Sequence, residues 1–182
     1  MSTLSAPAAD PVDVGDRRRL RGVLGEFPTG VTVVTVGGDA PRGMTANSFT
    51  SVSLAPPLLL VCVNNDAVMR RRLELCDTFA VSVLGSGQEA VARHFADHSR
   101  PAGIGQFDAV EWRTGPASGA PLIEGALVHL ECAKWRVYEA GDHCVFLGEI
   151  HTATQWPGQD PLLFHRGQFR RLAAEHRESR QP

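Results

Sequence analysis

The run "LLLVCV", residues 58–63, is apolar at every position and follows directly on Pro56 and Pro57. A strand with one face in water alternates apolar and polar residues, so an unbroken apolar run of this length suits a strand covered on both faces. "VTVVTV" (31–36) is a β-branched strand of the same character, and "TFAVSVL" (78–84) is another. The last third is strand-rich again. In "ALVHLECAKWRVYEAGDHCVFLGEIHTATQW" (126–156) the apolar face runs through Val128, Leu130 and Cys132, then switches to Ala133, Trp135 and Val137. A slip of one residue predicts a β-bulge or bend, with "EAGDH" (139–143) as the hairpin turn. "PLLFHRGQFRRL" (161–172) reads as one further strand. Many strands with helices inserted between hairpins predict a mainly β protein: a closed antiparallel barrel with peripheral helices.

The helices are short. Asp16 is placed to cap one whose Leu20, Val23, Leu24 and Phe27 share a side. Asp66 is placed to cap a second, with Met69, Leu73 and Cys76 as its buried stripe. "SGQE" (86–89) has the form of a capping box opening a third, which buries Val91 and Phe95. Residues 97–121 form a long segment without periodicity, the kind that is functional or mobile. The expected organisation is a tail over 1–15, one domain over 16–172 and a charged tail over 173–182.

The totals exclude several classes. A net charge of -2 over 182 residues leaves no electrostatic footprint for nucleic acid. No stretch approaches the ~20 apolar residues of a membrane span, and the N-terminus has no secretory pattern, so a cytoplasmic location is expected. Cys62, Cys76, Cys132 and Cys144 show no paired spacing and read as reduced, buried residues. His129, Cys132, His143, Cys144 and His151 do not form a metal site on a regular strand, because His129 and Cys132 face opposite ways. There is no dinucleotide-binding glycine fingerprint, no phosphate loop and no serine nucleophile elbow.

What remains is "GMTANSFTSVSLAPPLLLVCVN" (43–64), in which Thr45, Asn47, Ser51 and Ser53 share one face of an extended chain with Phe49. Such a row solvates a surface strand or holds the polar edge and phosphate of a flat ligand. Together with "FPTGVTVVTV" (27–36), "FAVSVL" (79–84), "GAPLIEGALVHLEC" (119–132), "GDHCVFLGEI" (141–150) and "FHRGQFR" (164–170), it resembles, in order and spacing, the short flavin reductases that serve two-component flavin monooxygenases.

That resemblance implies a split β-barrel homodimer that uses NADH or NADPH to reduce FAD or FMN and passes the reduced flavin to a separate oxygenase. The finer resemblance is to partners of oxygenases in bacterial natural-product pathways, and it favours FAD. It implies that Thr45, Ala46, Asn47 and Ser48 line the isoalloxazine, and that Ser51, Val52 and Ser53 face its phosphate end. Cys62, Val63 and Asn64 border the site. It assigns His143 to the nicotinamide, Arg166 to dinucleotide phosphates and Phe169 to closure over the rings, with Phe95 and Phe107 as further walls. The chain departs from the pattern at Asp66, where a small hydroxyl residue is expected. A carboxylate would repel phosphate, so Asp66 is expected to cap its helix and point away. Other readings on the same barrel are an oxidase that retains its flavin and a flavin- or haem-binding module without turnover.

Overall fold

The computed structural model describes residues 10–173; residues 1–9 and 174–182 of the two expected tails lie outside them. Asp16 caps helix α1 (Arg17–Leu24), its carboxylate accepting from the N–H groups of Arg18 and Arg19. The apolar side of α1 is left uncovered in this chain, with Phe27 just beyond it 76% exposed. A two-residue strand β1 (Thr29–Gly30) leads into β2 (Thr32–Val36), buried at all five positions as its composition requires. The turn after it brings back β3 (Arg42–Ala46).

At that point the structure departs from the sequence reading. Residues 43–54 do not make one continuous strand. The chain leaves the sheet after Ala46 and re-enters as β4 (Thr50–Leu54), which pairs with β5 (Pro57–Asn64). β6 (Thr78–Val83), β9 (Val128–Ala140) and β10 (His143–Gln155) complete a seven-stranded sheet in the order β3-β2-β6-β9-β10-β5-β4. β3 and β4 are therefore its opposite edges, although they are neighbours in sequence. The sheet curls until Ser48, just past β3, reaches β5. Its hydroxyl accepts from the Cys62 N–H at 3.0 Å and donates to the Cys62 carbonyl at 2.8 Å. The curl encloses a core of Val34, Leu59, Val61, Val63, Phe79 and Phe146, with Met69 and Leu73 of helix α2 (Val68–Leu75) closing one end.

The long hairpin forms as expected, but its irregularities lie elsewhere. Register shifts fall at Trp135 and at His151 rather than at Cys132–Ala133. From the first bulge on, the switched apolar face is partly open to solvent, with Trp135 43% and Val137 41% exposed. The segment 161–172 is two strands, β11 (Leu163–His165) and β12 (Gln168–Arg170), joined at Arg166–Gly167, and they form a separate sheet with β1. Arg166 has φ +51°, a left-handed conformation imposed by that tight turn.

Two caps differ from the sequence reading. Ala67, not Asp66, is the N-cap of α2 and it supplies no side-chain bond; the Asn64 amide oxygen takes the Asp66 N–H instead. The capping box at 86–89 does not form. Helix α3 (Glu89–Ala96) starts from Gln88, whose side chain turns back to Gly85 N–H and to the Glu124 carbonyl. α3 buries Ala92 and Phe95, with Val91 half-buried. Residues 97–121 are ordered. They hold a short 3-10 helix (Gly103–Phe107) and a small sheet of β7 (Trp112–Thr114) with β8 (Pro121–Ile123). Gln106 fixes this segment to the edge strand: it accepts from Gly43 N–H at 2.8 Å and donates to the Pro41 carbonyl at 2.8 Å. No helix among the described residues is long and apolar enough to cross a membrane.

Candidate active site

A cleft of about 470 Å³ opens between the edge strand β3, the end of β5 and the start of α2. β3 contributes Arg42, Met44 and Thr45; β5 contributes Asn64; the turn into α2 contributes Asp66, Ala67 and Val68. Phe95 and Ala96 close it from α3, and His98 and Arg100 from the segment that follows. A smaller cavity of about 130 Å³ lies on the other side of Thr45 and Ala96, which line both. Val31, Asn47, Phe164 and Phe169 make up its remaining, largely apolar walls.

The reasons for this shape are local. Gly43 lets Phe95 approach β3: a methyl group there would stand 2.6 Å from the Phe95 ring. The Thr45 hydroxyl donates to the Ala92 carbonyl at 2.6 Å and so holds α3 against the strand. Arg100 is bound through its two terminal nitrogens to the carbonyls of Asp97 and Gly43. Burial, with the Arg42 guanidinium nearby, brings its pKa down to about 10. Arg42 is shifted the same way, by burial and by Arg72.

Of the residues expected at the site, Thr45, Asn47, Asn64 and Phe169 line one or both cavities. Phe95 is a wall of the large cleft, and Phe107 packs behind it with ring centroids 5.3 Å apart. Ala46 and Val63 point into the core, which leaves only their backbone for a ligand. Ser48 and Cys62 are joined to each other across the curl of the sheet, and burial pushes the Cys62 thiol pKa up. Ser51, Val52 and Ser53 lie on the edge strand β4 and line neither cavity; the Ser53 hydroxyl accepts from Ala55 N–H. The expectation for Asp66 is corrected: it does not cap α2, and it borders the cleft instead of turning away.

His143 stands opposite Asn64 in the β10–β5 register, beside the cleft rather than in its wall. Its Nδ1 is 2.7 Å from the Asp142 carboxylate, which in turn binds Arg17 at 3.1 Å. A carboxylate only accepts, so Nδ1 carries a proton in this contact and Nε2 is the ring nitrogen left for a ligand. The hydrogen bond from His143 holds the Asp142 carboxyl below its ordinary pKa. Arg166 is engaged elsewhere, by a two-pronged contact with Glu26 at 2.9 and 2.8 Å from Nε. The sequence reading missed Arg42, Met44, His98 and Arg100. An edge-strand position and an aperiodic segment gave no sign that they meet.

The comparisons agree with this architecture. A profile of the flavin reductase like domain matches residues 24–173. The chain is 64% identical over 180 residues, 99% of each chain, to the NADH-dependent FAD reductase of Streptomyces globisporus. It is 41% identical over 157 residues to an NADH-dependent flavin reductase of a Rhodococcus species, covering 84% of this chain and 85% of that one. Among solved structures, the Streptomyces globisporus NADH:FAD oxidoreductase SgcE6 in complex with NAD and FAD fragments superposes with a TM-score of 0.88 at 63% identity, over 92% of this chain and 99% of that one. BorF, the flavin reductase component of a bacterial two-component tryptophan halogenase, gives 0.84 at 53% identity, over 88% of this chain and all of that one (100%). The chain belongs to the flavin reductase family.

Proposed function

We propose that the chain catalyses NADH-dependent reduction of free FAD and releases the reduced flavin to a separate oxygenase. It is an NAD(P)H:flavin oxidoreductase. The observation that carries this reading is the pair of adjoining cavities divided by Thr45 and Ala96, one of mixed lining and arginine-bearing, the other apolar and aromatic. A flavin nucleotide needs both: a flat surface for its ring and donors for its phosphates. The residues fit the group, because the buried Nε atoms of Arg42 and Arg100 have no hydrogen-bond partner among the described residues.

The bound flavin supplies the redox chemistry, accepting hydride from the nicotinamide. The chain's part is to bind and orient. Small side chains at 45–48 allow backbone N–H groups near the ring edge, where negative charge develops on reduction. Phe169 and Phe95 exclude water. His143, with Nε2 left for a ligand, holds the nicotinamide carboxamide or ribose, and proximity provides most of the rate enhancement. No side chain has to gain or lose a proton in the hydride step.

The finer reading is a split barrel that functions as a homodimer, with one domain over 16–172. The exposed apolar residues Leu24, Phe27, Leu54 and Trp135 support a second chain covering them. The similarity to BorF supports an oxygenase partner in a natural-product pathway. Mixing purified protein with NADH and excess FAD, then following the nicotinamide absorbance band, tests the reading. Multiple turnovers with added flavin support it. Flavin that copurifies and never exchanges, or NADH that is not consumed, would overturn it.

A further inference from the structure

The aromatic wall of the small cavity is carried by very short strands. Phe169 lies on β12, an edge strand of three residues, and β12 pairs with β11, which is no longer. Phe164 stands opposite Phe169 in that register, with ring centroids 5.4 Å apart. Phe169 also meets Arg93 of α3, whose guanidinium carbon lies 4.9 Å from the centre of the ring. Arg93 is itself held. Its Nε and a terminal nitrogen reach the Glu89 carboxylate, one helical turn earlier, at 2.9 and 2.7 Å. A Glu four residues ahead of an Arg is the favourable order on a helix. The Thr45 hydroxyl anchors α3 through the Ala92 carbonyl, and Ala96 of the same helix lines the small cavity. That cavity therefore has one wall on α3, at Ala96, and another on β11 and β12, at Phe164 and Phe169, and Arg93 joins the two.

We infer that Arg93 is a positioning residue: held by Glu89, it fixes the Phe169 ring and with it the width of the apolar slot that receives the flat ring of the flavin. The inference deepens the flavin-reductase reading and rests on it for the identity of the ring. An aromatic ring is negative on its face and positive at its edge, so a guanidinium over the face orients the ring as well as attracting it. Two strands of three residues leave that orientation otherwise weakly determined. Glu89 neutralises Arg93, so the pair brings no net charge to the cavity. Its effect falls on the ring of the ligand, through Phe169, and not on phosphate.

The test is a double-mutant cycle on the full chain, with riboflavin, FMN and FAD titrated by the quenching of flavin fluorescence. Arg93→Gln should weaken all three flavins by the same factor, about two- to fivefold, the range of an exposed cation–π contact. Arg93→Lys, which keeps a cation, should recover part of the loss. In a Phe169→Leu background Arg93→Gln should have no further effect, because the ring through which it acts is gone. A general loosening of α3 would persist in that background, so additive losses overturn the inference, as does unchanged affinity in Arg93→Gln. Weakening confined to FMN and FAD overturns it by making Arg93 a phosphate contact. A raised KM for NADH with flavin binding intact overturns it by giving the slot to the nicotinamide. If the coupling between Arg93 and Phe169 appears in riboflavin binding while no flavin supports NADH oxidation, the positioning role stands and the reductase reading falls.

Discussion

The Ser48 hydroxyl spans the gap between the two ends of the curled sheet, bonding both the N–H and the carbonyl of Cys62 at 3.0 and 2.8 Å. One side chain thus completes on β5 what a neighbouring strand would otherwise supply. Ser48→Ala strands two half-buried backbone groups, a loss of about 1–3 kcal/mol. For a chain of this length the melting temperature should fall by roughly 2–4 °C for each kcal/mol. Ser48→Thr, which restores the hydroxyl, should recover much of the loss in a thermal melt.

His143→Ala should raise the KM for NADH roughly tenfold while FAD affinity, measured by direct titration, stays nearly unchanged. Asp142→Asn should do less but in the same direction, because an amide can donate as well as accept and so no longer dictates that Nδ1 carries the proton. Equal changes in both ligands would remove His143 from the nicotinamide side.

Gly43→Ala sets a methyl group 2.6 Å from Phe95, with Phe107 packed behind it at 3.4 Å. The strand or the Phe95 ring must shift to relieve the contact, so overpacking should destabilise the fold by about 1–3 kcal/mol. Because Phe95 also walls the cleft, flavin affinity should fall along with stability. Chemical denaturation and a FAD titration on one sample check both.

Asp66→Ser removes the carboxylate from a cleft that otherwise presents cations. FAD binding should tighten by several fold, most clearly at low salt where exposed charges are least screened. Product release should slow in stopped-flow measurements. Unchanged affinity would mean the carboxylate lies out of range of the bound phosphates.

His129 is buried, donates from Nε2 to the Ile123 carbonyl at 2.7 Å and accepts at Nδ1 from Arg113. Burial lowers its pKa below the ordinary 6.5. The unfolded chain therefore takes up the proton first. The contribution of His129 to stability is complete above pH 6.5 and is lost as the pH falls through the lower folded value. For one proton the slope is at most about 1.4 kcal/mol per pH unit. His129→Gln, which has nothing to protonate, should lose that part of the slope in denaturation series between pH 7 and 5.

The strands and the long hairpin were legible because burial on a pleated sheet leaves its mark directly: an unbroken apolar run at 58–63, where both faces are covered, and alternation at 128–132. The break after Ala46 was not legible. Asn47, Ser48 and Phe49 include no glycine or proline, and what ends the strand is the distant Cys62 that Ser48 binds. The capping box at 86–89 failed for a similar reason: the Ser86 N–H goes to the Asp160 carbonyl and the Glu89 carboxylate to Arg93, and a capping pattern does not record such competition. β7 and β8 are three residues each, too short for a period to show. Thr45, Asn47, Asn64 and Phe169, which the family motifs named, line the cavities. The arginines escaped because their meeting depends on how the 97–107 segment lies against β3, which no local pattern encodes.

Gln106 and Arg100 occupy the outward amide and carbonyls of β3 at Gly43 and Pro41. At Gly43 that border of the sheet has neither amide nor carbonyl left to offer a passing strand. The opposite border, β4, keeps Leu54 95% exposed and carries no such cover. Growth of the sheet by accretion, whether in misfolded aggregates or in crowded refolding, is therefore directional: it can start from the side that follows Thr50 and stalls on the side that follows Arg42.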